Sequence, residues 1–250
     1  EEVIEKGPAL MEGASEKRAA EIGRLIGEAF YKEGRYQEAL PHMTNFYRNS
    51  AEVPDAEGRY ILGYCYYKLD YFDSAAYYFQ GVMPLNPPAG LKQSALYHLA
   101  YCYVRQNKKK FAMDAFAQAA QIEGENRVLA EDAMYHQAQL AYELGLNPYH
   151  ESLKILEDFL QKYPGSVYAK RIYAYMVRMY LTTRNYDMAL ASLNKIEHRT
   201  PELNRIEQRL YFNKGVESFH RRAYGTALAY FAKCAEAGFD ADLTTRAYFW

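Results

Sequence analysis

The side chains that could do chemistry in this 250-residue chain are six histidines, three cysteines and a scatter of carboxylates, and spacing decides what they can do. His98 and His136 stand 38 residues apart, and Asp132 lies one helical turn before His136. Two imidazoles and a carboxylate are zinc donors when a fold brings them together. No third ligand stands at helical spacing in both places, and recurrence of one structural slot accounts for the alignment, so no metal site is assigned. His42, His150, His198 and His220 are scattered and read as surface or interhelical polar groups. Cys65, Cys102 and Cys234 form no C-x-x-C, and an odd number argues against a disulfide framework. They read as small buried thiols. Glu157 and Asp158 sit among Lys154 and Lys162, the pattern of a solvated helix face. The G-x-S-x-G, P-loop, G-x-G-x-x-G and H-E-x-x-H patterns are absent, and no catalytic residue or cofactor is expected.

The abundant reactive-looking residue is tyrosine, with 26 copies against one Trp, and its spacing suits contact. Tyr60, Tyr64 and Tyr67 recur at i, i+4, i+7 and so share one helix face. Equivalent triplets are Tyr97, Tyr101 and Val104, then Tyr135, Gln139 and Tyr142. Further on stand Ala174, Arg178 and Leu181, then Phe212, Val216 and Phe219, while the first triplet is Arg24, Glu28 and Tyr31. Arg171 and Arg209 lie beside this face. A tyrosine ring gives large contact area with few rotors to freeze. These residues read as a docking surface whose ligand carries apolar anchors followed by acids. The competing reading is that the rings pack on each other.

Two helices per repeat position these triplets. A small residue recurs at Ala39, Ala75, Ala112, Ser152, Ala189 and Ala227, at intervals of 36, 37, 40, 37 and 38. Four residues beyond each stands a bulky one: Met43, Phe79, Phe116, Leu156, Leu193 and Phe231. Three residues before each stands an aromatic, at Tyr36, Phe72, Tyr149, Tyr186 and Tyr224, with Lys109 the exception. A second series of small residues, Gly27, Gly63, Ala100, Ala138 and Gly215 with Val177 larger, marks the partner helices. The spacing predicts helix pairs over 18–49, 56–83, 92–122, 129–162, 167–198 and 205–236. Gly34, Asn107 and Gly145 suit the left-handed end of a first helix, and the fourth turn carries two extra residues around Asn147–Pro148. Pro54, Pro87–Pro88, Pro164 and Pro201 punctuate the second helices.

The order of Leu62, Gly63 and Tyr66, then Ala75 and Phe79, then Pro87, resembles the tetratricopeptide repeat, L-G-x2-Y, A-x3-F, P. The resemblance covers nearly the whole chain. It implies an all-α, right-handed α-solenoid of about six helix-turn-helix units over 18–55, 56–91, 92–128, 129–166, 167–204 and 205–240, with a partial seventh over 241–250. Residues 1–17, with Gly7, Pro8 and Gly13, read as a frayed lead-in or the tail of a preceding unit. The run FLQKYPGSVYAKRIYAYMVRMYLTTRNYDMAL is similar to tetratricopeptide proteins of bacterial cell envelopes, and the tyrosine content to large Bacteroidetes repeat proteins. That likeness implies a periplasmic or envelope-associated place.

In the family the triplet face lines a concave groove for peptides, which implies a non-catalytic scaffold binding a protein or peptide segment. The alternative is a structural or self-associating arm of a larger bacterial envelope complex. Some members clamp a C-terminal carboxylate with Lys and Asn on consecutive first helices. The matching places here hold Arg24 and Glu28, then Tyr60 and Tyr64, so that clamp is not expected. Tyr248, Phe249 and Trp250 lie on the partial unit, where self-association through the C-terminal end is expected. A formal net charge of −1 gives no reason to expect nucleic acid. No apolar run approaches the roughly 20 residues of a membrane span, so direct insertion is not expected.

Overall fold

First helices begin after loops that supply a side-chain cap. Ser15, Asp55, Asn126, Thr200 and Asp240 each accept a hydrogen bond from the backbone N–H three residues on, satisfying a donor that the helix leaves orphaned. In a computed structural model describing residues 1–49, 54–122, 124–145, 151–182, 184–196 and 199–250, the chain is all-helical, and no strand occurs among the described residues. A helix α1 (Glu2–Met11) precedes the pairs α2 (Glu16–Lys32) with α3 (Tyr36–Asn49), α4 (Ala56–Lys68) with α5 (Phe72–Gln80), and α6 (Ala89–Arg105) with α7 (Lys109–Gln121). Then follow α8 (Arg127–Leu144) with α9 (Glu151–Lys162), α10 (Ala169–Thr182) with α11 (Tyr186–Leu193), α12 (Pro201–His220) with α13 (Tyr224–Ala237), and α14 (Ala241–Phe249).

The chain divides into two compact units, Glu1–Leu140 and Ala141–Trp250. Within each, helix-turn-helix pairs form an α-solenoid, and both series of small residues do the work their spacing implies. A Cβ added to Gly63 would lie 2.9 Å from Phe79, one on Gly27 2.9 Å from Met43, and one on Gly215 2.6 Å from Phe231. The first helix is therefore small where the second is bulky. On the second helices Ala39, Ala75, Ala112, Ser152 and Ala189 are fully buried. Ser152 keeps its hydroxyl satisfied by donating to the Ala141 carbonyl at 3.1 Å.

The turns between paired helices repeat one geometry. Gly34, Asp70, Asn107, Arg184 and Arg222 occupy the same place, five residues before the small residue of the second helix, and all have positive φ. The next N–H then bonds back five residues in every case, as Arg35 to Phe30 and Ala223 to Ser218, both at 2.9 Å. This double-bonded helix end leads straight into the second helix, so Tyr71, Lys108 and Ala223 cap α5, α7 and α13 without a side-chain bond. Gly145 also has positive φ; Asn147, Pro148, Tyr149, His150 and His198 lie outside the described residues.

Two features depart from the sequence reading. The glycine- and proline-bearing start is helical rather than frayed: Gly7 of α1 meets Ile26 so closely that a Cβ would lie 2.7 Å from it, and Ile4 and Met11 join the α2–α3 core. The second is a pair of buried glutamines. Gln93 Nε2 donates to the Ala119 and Ile122 carbonyls at 3.3 and 3.2 Å, while the Asn126 N–H donates to Gln93 Oε1 at 3.0 Å. Gln208 does the same with the Cys234 and Asp240 carbonyls at 3.0 and 3.1 Å and the Asp240 N–H. Each stands seven residues before the small residue of its helix and clips the end of its own pair to the start of the next first helix.

Candidate functional site

The tyrosines of α4 and α6 share one state of burial. Tyr60, Tyr64 and Tyr67 on α4 and Tyr97 and Tyr101 on α6 are all half-buried, in contrast to Phe79 and Phe116 inside the pairs, which are fully buried. The rings connect from helix to helix. Tyr64 meets Tyr31 of α2 at 5.7 Å between centroids and His98 of α6 at 5.0 Å, both edge-to-face. Edge-to-face contacts at such distances are favourable aromatic geometry. Tyr101 in turn meets His136 of α8 at 5.3 Å.

The two aligned histidines are part of this surface's support. His98 stacks on Phe79 and His136 on Phe116, at 5.7 and 5.2 Å, so each first helix lays an imidazole on the bulky residue of the preceding second helix. His98 Nδ1–H donates to the Ser94 carbonyl at 2.8 Å. Burial depresses its pKa to about 4, with Lys68 pushing the same way. Burial lowers that of His136 as well, against the attraction of Asp132. The Tyr97 hydroxyl donates to Asp132 Oδ2 at 2.5 Å, and the Tyr101 hydroxyl hydrogen-bonds His136 Nε2 at 2.7 Å. Burial and then the Asp132 carboxylate push the Tyr97 phenol far above its usual range. The histidines thus stay neutral and the phenols protonated near neutrality, leaving an aromatic surface with hydroxyl handles.

Sequence reasoning weighed Asp132 and His136 only as zinc donors together with His98. Their i, i+4 spacing against Tyr97 and Tyr101, also i, i+4 on the preceding first helix, is the signal for this network. Among the described residues no three His, Cys, Asp or Glu side chains converge to hold a metal. All three cysteines are free and buried, and burial pushes the Cys65 and Cys102 thiols up to about 12.

Not every expected groove residue lies open. Tyr135 is 4% exposed with its ring against His136, which makes it core rather than surface. Tyr142 belongs to the second unit, where it stacks on Tyr175 at 4.4 Å. Arg178 is already bonded to Glu202 at 2.8 Å, so it does not stand ready for a ligand's acid. Arg171 and Arg209 are exposed in the same unit. Lys214, which the spacing did not single out, is buried there between Asp187 and Glu217 at 3.0 and 3.2 Å. On α14, Tyr248 and Phe249 are exposed, and Trp250 stacks on Phe231.

A stack of helix-turn-helix repeats with aromatic side chains along its first helices defines a repeat scaffold of the α-solenoid class. The profile described as Iml2/Tetratricopeptide repeat protein 39 matches residues 106–238, more than half of the chain, and a tetratricopeptide repeat profile matches residues 24–90. The chain belongs to the tetratricopeptide repeat family, and its repeats make it a protein–protein interaction scaffold. Among solved structures, MamA is 19% identical, with a TM-score of 0.53 over 68% of this chain and 91% of MamA. The C-terminal part of a repeat-containing protein from Cytophaga hutchinsonii is 14% identical, with a TM-score of 0.52 over 84% of this chain and 77% of that one. At such identities the likeness is one of fold. Among curated proteins none matches significantly. No helix among the described residues is long and apolar enough to cross a membrane.

Proposed function

We propose that the tyrosine face of α4 and α6 is a docking groove that captures an extended segment of a partner protein without catalysing a reaction on it. One observation carries this reading: five tyrosines share one face of two neighbouring first helices and remain half-buried, while the bulky residues inside the pairs are fully buried. Such rings bring large contact area at low entropic cost, and buried aromatic anchors dominate many interfaces.

The test is a random peptide display selection on the protein, repeated on the variant combining Tyr64→Ala and Tyr101→Ala. Selected peptides should bind the double variant at least roughly thirtyfold more weakly, as loss of anchors commonly costs about 2 kcal/mol or more. The variant should keep most of its thermal stability. Unchanged binding would remove the groove from consideration, and unfolding would show that the rings are core.

A second reading draws on the ring contacts themselves. Tyr31, Tyr64 and His98 touch from helix to helix across successive repeats. Such packing supports a structural arm in which stacking is the function. The envelope setting of that reading rests on the stretch Tyr163–Ser166 and the Ala- and Tyr-bearing helix after it.

A further inference from the structure

Apart from the tyrosine face, we propose that the cavity between α1, α2 and α3 is a second docking site. It takes the side-chain amide of a partner's glutamine together with a neighbouring aliphatic side chain.

The repeat itself names the chemistry. Gln93 on α6 and Gln208 on α12 stand seven residues before the small residue of their helix. Each donates to the carbonyl seven residues beyond the small residue of the paired helix, Ala119 for Gln93 and Cys234 for Gln208. Leu96, one turn on from Gln93, is buried in the core of the same pair. On α2 these two places hold Ala20 and Gly23. A cavity of about 690 Å³ stands there, lined by Ala20 and Gly23, by Met11 of α1 and by Phe46 of α3. Phe46, seven residues beyond Ala39, is the counterpart of Ala119 and Cys234. A backbone carbonyl carries two lone pairs, so that of Phe46 can accept from an amide in addition to any helical bond. Outside its own helix, a Cβ on Gly23 would meet only Met11 Cε, at 3.9 Å, whereas one on Gly27 would lie 2.9 Å from Met43. The room that Gln93 and Leu96 fill on α6 is thus left to a ligand on α2.

Other pairs use the counterpart carbonyl in other ways. On α4 the glutamine place falls on Ala56, the first residue of the helix, and the Leu85 N–H donates to the Val82 carbonyl at 3.2 Å. On α8 and α10 the place holds Glu131 and Lys170. There the Phe159 carbonyl takes the Tyr163 N–H at 2.9 Å, and the Ile196 carbonyl takes Arg199 Nε–H at 3.4 Å. Glu16, Lys17 and Glu21, all exposed, also line the α2 cavity, so its mouth carries both signs of charge. A neutral amide, which donates and accepts at once, can bond with either.

The experiment is NMR of the whole chain with methyl-labelled methionine, titrated with acetyl-Gln-Ala-Leu N-methylamide. Alternate residues of an extended backbone share a side, so this peptide presents Gln and Leu together. Comparison peptides carry Met or Glu in place of Gln. The Gln peptide should shift the Met11 methyl saturably while Met176, buried in the other unit, stays in place. It should bind about tenfold more tightly than either comparison peptide, as the loss of buried hydrogen bonds implies. Ala20→Gln supplies the amide from within, so it should abolish the shift and melt above Ala20→Leu, which fills the space without an amide. The variant combining Tyr64→Ala and Tyr101→Ala should bind the Gln peptide unchanged. Equal binding of the Met peptide, an unmoved Met11, or equal melting temperatures of the two Ala20 variants would overturn the assignment. Loss of the shift in the tyrosine variant would place the peptide in the groove and overturn it as well. If Ala20→Gln does not fold, the three peptides on the unaltered protein decide between the outcomes.

Discussion

Gln93 and Gln208 each use a single side-chain amide to bond two carbonyls and one N–H at the junction between one pair and the next. Leaving such groups unsatisfied costs about 1–3 kcal/mol each, so Gln93→Leu should lower stability by at least that much in urea unfolding, and Gln208→Leu likewise. Unchanged midpoints in both variants would show the clip to be incidental. His98 gives a prediction in pH. Its folded pKa is depressed to about 4 from the ordinary imidazole value of about 6.5, chiefly by burial. Above the unfolded value both states are neutral at this site. As pH falls from there toward 4 the unfolded chain takes up a proton that the folded one refuses, so stability drops. His98→Phe should flatten the fall of melting temperature over that window; parallel slopes would contradict it. At this scale the sequence was legible for size and only partly for polarity. The Gly63–Phe79 fit follows from small and large residues at helical spacing. The buried amides and the Tyr97–Asp132 bond depend on which polar group faces which across helices, and a slot pattern counts volume before partners.

At the scale of helices and turns, the pairs lie where the spacing of small residues placed them, because one tight contact per pair fixes the register of both helices. Ala75 is fully buried at such a contact, and Ala75→Leu should overpack it at a cost of about 1–3 kcal/mol, read from thermal melts. An unchanged melting temperature would remove the basis of the repeat alignment. The turns were legible only where glycine or asparagine occupied the left-handed position. Asp70, Arg184 and Arg222 adopt it as well, since the repeat geometry overrides local preference. A Cβ in that conformation costs roughly 1–2 kcal/mol, so Arg222→Gly should stabilise the α12–α13 pair by about 0.5–1 kcal/mol after the entropy cost of glycine. A lower melting point would mean that the arginine side chain contributes more than its backbone costs. The helical α1 was missed because Gly7 and Pro8 read as breakers, whereas Gly7 is the small residue that lets α1 approach Ile26.

At the scale of the molecule, stability in a stack of repeats is close to a sum over neighbouring pairs. Hydrogen exchange should therefore show Ala75→Leu loosening α4 and α5 and the adjoining α3 and α6, with α12 to α14 unchanged. The proposed docking depends on the same repetition, which sets equivalent tyrosines side by side on α4 and α6. The most direct measurement of that claim is tyrosine-ring NMR of the selectively labelled protein, titrated with a peptide recovered by display selection. The rings of Tyr60, Tyr64, Tyr67, Tyr97 and Tyr101 should shift together and saturably, while Tyr71, Tyr77 and Tyr248, exposed elsewhere, stay in place. Saturable shifts at Tyr71 and Tyr77 with the five groove rings unmoved would contradict it.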